Sequence, residues 1–243
     1  MPETRTHRGP DPRDPALFAP EWLPRLRTAT AELSWLLSRG YAWPSALKLV
    51  GDRHGLTERQ RMAVRRCACS DAALAARLAR RVGPERIDGR PLYIDGFNVL
   101  TTIEAALGGA VVLVGRDGAF RDLAGVHGTY RKVAETRPAI LQVGETLARF
   151  GAGPCTWLLD RPVSNSGRLA VVLREEAQQH GWPWTIQLLM APDGALAASP
   201  EVVATADAAI LDAGVCWLPL ARLVIEQRVP GAWIVPVGEP LSP

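Results

Sequence analysis

The chain has little that would place it outside a reducing compartment or across a membrane. Four cysteines, Cys67, Cys69, Cys155 and Cys216, are scattered over 243 residues without a Cys-x-x-Cys pair. That spacing argues against a structural zinc site, and four free thiols fit a reducing cytoplasm. No window approaches the ~20 apolar residues that a bilayer span needs. Residues 1–20 carry five prolines among charges and lack the apolar stretch of a secretory leader. These absences predict a soluble, cytoplasmic protein with no membrane partner, and residues 1–20 read as a disordered arm.

Hydrophobic residues make up 47% of the chain, enough to build a substantial core. The net charge of +3 hides an asymmetry. Residues 21–90 hold 14 Lys or Arg against 7 Asp or Glu, whereas residues 91–243 hold 11 against 15. A basic segment ahead of an acidic one suggests that the first meets a polyanion and the second meets cations.

Residues 21–88 read as a basic helical module. Leu26, Ala29, Leu33, Leu36 and Leu37 repeat at helical spacing, and Gly40 stops that helix. Pro44 opens a second helix. Thr57 and Gln60 form a capping box for a third, and Ser70 caps a fourth that runs to Gly83-Pro84.

Residues 89–243 read as an α/β domain. Strand runs at Leu92–Asp95, Ala110–Val114, Cys155–Leu159, Thr185–Met190, Glu201–Ala204 and Val215–Leu218 alternate with helical stretches and turns. A helical region over 129–150 is interrupted by Pro138, and Asp117-Gly118 makes a turn. Such alternation predicts an open, mostly parallel sheet flanked by helices.

Three aspartates occupy equivalent places. Asp95, Asp160 and Asp207 each stand where a strand run ends, and ligands of open α/β sheets bind at the carboxyl ends of strands. Converging carboxylates repel one another unless a cation neutralises them, and oxygen ligands favour Mg²⁺ or Mn²⁺. Any one of these aspartates reads more readily as a turn former or helix cap than as a metal ligand; the three together tilt the reading towards a site. Glu104 is a fourth candidate, on the helix that leaves the first strand, or else a solvated helical residue. Asn98 can serve Asp95 or a metal-bound water, or cap its helix. The loop from Asp160 to Arg168 offers Ser164, Ser166 and Arg168 to a phosphate, or else is a connection that Ser166 caps. Arg121 is a second cation for phosphate.

Ile94-Asp95-Gly96-Phe97-Asn98-Val99-Leu100 resembles the Asp-Gly-x-Asn signature of NYN nucleases in the PIN superfamily, and Thr205-Ala206-Asp207 resembles their late Ser/Thr-x-Asp segment. Leu36-Leu37-Ser38-Arg39-Gly40-Tyr41, Asp117-Gly118, Arg121-Asp122 and Pro162–Arg168 are similar to pieces of an archaeal and bacterial family of unknown function, in which a helical segment precedes a PIN-like domain. The superfamily implies a parallel sheet whose carboxylates, here Asp95, Asp160, Asp207 and more distantly Glu104, bind Mg²⁺ or Mn²⁺ and cleave RNA. The chain departs from the NYN pattern after Asp207: Ala208 and Ala209 stand where a second aspartate is usual, and Asp212 follows five residues on.

Two functions from different classes follow. One is a metal-dependent ribonuclease whose basic helices track RNA through Arg59, Arg61, Arg65, Arg66, Arg77, Arg80 and Arg81. The other is a non-catalytic module binding RNA or a nucleotide. Trp35, Tyr41 and Trp43 are expected to pack in the core in preference to stacking on bases. A haloacid dehalogenase type of phosphatase fits less well, because Phe97 stands where its second aspartate is needed.

Overall fold

The computed structural model describes residues 9–123 and 133–239. Helices α1 (Asp14–Leu17), α2 (Leu23–Ser38), α3 (Trp43–Arg53), α4 (Glu58–Cys67) and α5 (Asp71–Arg80) come first. Their boundaries follow local chemistry. Gly40, at φ +80°, lets the chain reverse after α2. Pro44 sits in the first turn of α3, where its missing N–H is not needed. Thr57 and Gln60 form the reciprocal capping box of α4, and the Ser70 hydroxyl accepts from the Ala73 N–H at 3.2 Å.

Of the arm expected over 1–20, residues 1–8 lie outside the described residues, and the rest is corrected by a helix at Asp14–Leu17. From Asp14 on, the chain is built into the helical layer. Asp14 is fully buried and pairs with Arg59, while Phe18 is 4% exposed and packs with Leu26, Ala29 and Val64. A single aromatic in a proline-rich stretch is enough to anchor it. Phe18→Ala is expected to lower stability by about 3–5 kcal/mol, read as a shift in the urea midpoint. A midpoint equal to that of the wild type would show the anchor to be idle.

The α/β part runs through β1 (Leu92–Asp95), α6 (Gly96–Leu107), β2 (Val112–Val114), β3 (Phe120–Asp122) and α7 (Thr136–Arg149). It continues through β4 (Cys155–Asp160), α8 (Ser166–His180), β5 (Trp184–Leu189), α9 (Pro192–Ala197) and β6 (Val202–Ala204), then α10 (Ala208–Asp212), β7 (Trp217–Leu218), α11 (Leu220–Arg228) and β8 (Ile234–Val235). Five strands form one parallel sheet in the order β5-β4-β1-β6-β7. Side chains alternate across it: Leu92, Ile94, Trp157 and Leu159 face one buried layer, and Tyr93, Leu158, Val203 and Trp217 face the other. Helices cover both faces, as the apolar strand runs require.

The second strand run corrects the expectation of one sheet. β2 pairs antiparallel with β3 and parallel with β8, forming a separate three-stranded sheet. The Asp117-Gly118 turn joins β2 to β3 as expected, with the Gly118 N–H on the Gly115 carbonyl at 2.9 Å. Val111, Leu113, Leu123 and Val235 of this region share a core with Leu26, Leu33, Val50 and Val64 of the helices, so one core spans residue 88. Arg81 also bridges to Trp217, with the Val82 N–H on the Trp217 carbonyl at 2.8 Å.

Pro138 does not interrupt a helix. It lies in the first turn of α7, where no intrahelical partner is lost; the expected residues 129–132 lie outside the described residues. No described helix is long and apolar enough to cross a membrane.

Candidate active site at the carboxyl ends of the parallel strands

The chain fills the main sheet from β1 outward through β4 and β5, then returns to lay β6 on the other side of β1. The reversal places a topological switch point between the carboxyl ends of β1 and β6, where open sheets bind ligands. Asp95 ends β1, and Thr205-Ala206-Asp207 follows β6. α6 leaves directly from Asp95, and Gly96 permits it: a Cβ there would collide with the Leu159 side chain.

Short hydrogen bonds join the two segments. The Thr205 hydroxyl donates to Asp95 Oδ2 at 2.7 Å, and the Ala206 N–H donates to Asn98 Oδ1 at 2.8 Å. Asp207 is an N-cap, its Oδ1 accepting from Ala209 N at 2.8 Å and Ile210 N at 3.3 Å. The Asn98 side chain thus serves the Thr205–Asp207 turn, while its backbone N–H donates to Asp95.

Electrostatics tie in an aspartate that the strand-by-strand reading missed. Burial, with the charges of Asp207 and Asp193 adding to it, pushes the Asp95 carboxyl up to about 7; the Thr205 hydrogen bond opposes the rise. Burial and then Asp193 raise Asp160, which ends β4 beside β1. Burial and then Asp207 raise Asp193 itself. Asp193 stands in the first turn of α9, on the exposed rim beyond β5. It was legible in principle, three residues past the strand run that ends at Met190, but Asp193-Gly194 passes for a plain turn. Among the described residues, no three His, Cys, Asp or Glu side chains are gathered closely enough to hold a metal ion.

Glu104 does not extend this group towards α6. It is fully buried near the far end of that helix and accepts from the Thr136 hydroxyl at 2.6 Å. Arg121 is likewise withdrawn from any phosphate. It is 4% exposed, forks onto Asp117 at 2.9 and 2.7 Å, and gives its Nε to the Ala206 carbonyl at 2.8 Å. Arg77, 4% exposed on α5, meets the same Asp117 at 2.7 Å and binds Asp212 at 2.8 Å and the Ala208 carbonyl at 3.4 Å. Two buried arginines therefore hold the carbonyls on either side of Asp207, cross-linked by Asp117. Asp212, the nearest following aspartate, is spent in this clamp.

The Asp160–Arg168 loop keeps its exposed cation. Ser164 and Arg168 are exposed, and Arg168 has no ion pair among the described residues. Ser166 is not the cap. It is the first residue of α8 and donates its hydroxyl to the Arg161 carbonyl at 3.2 Å, while Asn165 takes the cap position at φ 67°. Asparagine tolerates that left-handed backbone better than most residues.

Of the basic helical residues, Arg59 and Arg61 are occupied by Asp14 and Asp52, and Arg66 lies 4.0 Å from Asp122. With Arg77 buried, these four are not a free polyanion track. Arg65 and Arg80 are exposed.

The chain is 29% identical to an uncharacterized protein of Methanocaldococcus jannaschii, MJ0935, over 76% of this chain and 88% of that one. No solved structure matches it significantly. Residues 25–80 match the model of a protein of unknown function, DUF434. Residues 84–223, which include Asp95, Asp160, Asp193 and Asp207, match the model of a domain of unknown function, DUF5616, and the chain belongs to that family.

Proposed function

We propose that this chain is a PIN-like, metal-dependent ribonuclease that hydrolyses RNA phosphodiesters at the carboxylates around Asp95. The observation that carries the reading is a buried carboxylate, Asp95, held at a switch point with Asp160, Asp193 and Asp207 around it: burial first, and then the charges of Asp207 and Asp193, push it up to about 7, and burial and then Asp193 raise Asp160. A buried carboxylate with like charges at its rim is unfavourable alone and becomes favourable beside a cation. The oxygen donors of Asp95, Asp160, Asp193 and Asp207 are of the kind that takes Mg²⁺ or Mn²⁺; among the described residues they are not gathered closely enough to hold it, and binding would have to draw them together. Such an ion supplies charge neutralisation and an acidified water when bound.

The chain's own groups do the rest. Thr205 orients Asp95, and the clamp of Arg77 and Arg121 fixes the backbone that carries Asp207. Arg168, exposed after the Asp160 loop, is the phosphate-facing cation in place of Arg121. RNA as substrate follows from the resemblance to NYN nucleases, with the arginines left exposed on the helices, Arg65 and Arg80, in support.

A non-catalytic RNA-binding module is the second reading. It is favoured by the absence of a gathered metal-holding set among the described residues and by the engagement of Asp212 with Arg77.

The test is cleavage of labelled single-stranded RNA with Mn²⁺ or Mg²⁺, with and without chelator. Asp193→Asn, at an exposed site, is expected to lower the rate by about 10–100-fold with the fold unchanged. Folded wild type that binds RNA but never cleaves it in a chelator-sensitive way would transfer the assignment to the binding module.

A further inference from the structure

The expectation that Trp35, Tyr41 and Trp43 pack in the core fails. They are 54%, 57% and 45% exposed, and among the described residues they are the aromatic side chains left most open. The large buried aromatics are elsewhere: Trp157 and Trp217 are at 0%. Three exposed rings within nine residues, at the end of α2 and start of α3, are a costly arrangement unless something covers them.

Their surroundings say what kind of partner that is. The Arg39 guanidinium lies 3.5 Å from the Trp35 ring centroid, and that of Arg65 lies 3.8 Å from the Trp43 centroid. These are stacking distances, with each cation on one face of its ring. The nearby carboxylates are taken: Glu32 meets Arg53 and His54, Asp52 meets Lys48 and Arg61, and Asp71 meets Arg116. Arg39 and Arg65 have no carboxylate within ion-pair distance among the described residues. Trp35 also forms one wall of an open apolar groove with Leu36, Leu49 and Val50. Exposed π surfaces, two of them paired with unneutralised guanidinium groups, match the two halves of an unpaired nucleotide, base and phosphate. A duplex offers its phosphates but keeps its base faces stacked inside.

We propose that Trp35, Tyr41, Trp43, Arg39 and Arg65 form a stacking platform for single-stranded RNA, separate from the carboxylate site. The choice of RNA rests on the ribonuclease reading; the platform does not need cleavage. The binding energy comes from ring faces on unpaired bases, and the two arginines add phosphate contacts that weaken with salt. This surface gives the basic helical half a role that Arg59, Arg61 and Arg77, being occupied, cannot fill.

The experiment measures binding of a fluorescein-labelled oligouridylate to the full chain in EDTA, so that loss of nuclease activity leaves the result intact. Trp35→Ala and Trp43→Ala are each expected to weaken binding by roughly tenfold, with Trp35→Phe retaining most of the affinity. Arg39→Ala and Arg65→Ala are each expected to reduce the salt slope by about 1. Duplex RNA and heparin should bind the tryptophan variants and wild type alike. Unchanged oligouridylate binding by the folded tryptophan variants overturns the platform, as does an equal loss for heparin. Tighter binding of the corresponding single-stranded DNA overturns the assignment to RNA. Wild-type self-association abolished by Trp35→Ala would make the surface a protein contact instead.

Discussion

Asp117→Asn is expected to destabilise the protein by about 3–5 kcal/mol, the loss typical of breaking a buried ion pair from one side. Asp117 is 1% exposed and faces two guanidinium groups that are themselves 4% exposed. Arg121 and Arg77 together hold its carboxyl well below the usual carboxylate range, against the opposing effect of burial. Asparagine keeps the shape but removes the charge, so two buried cations lose their shared counter-ion. Replacing the whole triad by apolar residues of similar volume should cost less than this single change, because no charge is then stranded. The depressed carboxyl also fixes the sign of a pH effect. Its stabilisation is complete above the ordinary value of 3.8 and is lost progressively as pH falls from there through the lower folded value. Urea unfolding at neutral pH is the direct measurement. A loss below about 1 kcal/mol, the range of an exposed pair, would show that solvent reaches the triad.

The triad also shows where sequence patterns stop being informative. Apolar strand runs ended by aspartate were legible, because burial on both faces leaves a continuous hydrophobic signal until the chain emerges at the sheet's edge. Asp95, Asp160 and Asp207 were found that way. Asp193 was missed because a glycine follows it and the pair reads as a turn. β3 was missed for a different reason. Phe120-Arg121-Asp122 has no strand signature, yet all three residues are buried, two of them through ion pairs and hydrogen bonds that pattern reading scores as exposed polarity. Arg77 fails in the same way: one of several arginines on a basic helix, it is the one turned inward to Asp117. The exposed aromatics fail in reverse, since hydrophobicity predicted burial. For the inward turn of Arg77 and the reach of Arg121 to the end of β6, the deciding partner is far along the chain, 40 residues between Arg77 and Asp117 and 85 between Arg121 and Ala206. No local window contains that information.

Asp95→Asn is expected to raise stability while abolishing cleavage. Asp95 is the buried member of the carboxylate group, and its carboxyl sits at about 7 in the folded chain against an ordinary 3.8. That difference corresponds to about 4 kcal/mol, to order of magnitude, disfavouring the ionised form in the native state. The sign follows from proton counting. Between 3.8 and about 7 the folded chain holds a proton that the unfolded chain has released, so stability falls as pH rises through this window and levels off above it. Asparagine has no proton to lose, and its carboxamide oxygen can still accept the Thr205 hydroxyl. In chelator the variant should therefore exceed wild type by up to about 4 kcal/mol at alkaline pH, and the gap should close towards pH 4. Asp160 and Asp193 are also raised and remain in the variant, so its own curve keeps a shallower fall in the same direction. Divalent cation should work the other way, stabilising wild type more than the variant, because the ion gains what the buried charge loses. Urea unfolding of both proteins across this pH range, with chelator and then with Mn²⁺, separates these effects. Parallel pH curves for the two proteins would mean that Asp95 is not held protonated by its surroundings, and the carboxylate group would lose its reason to bind a cation.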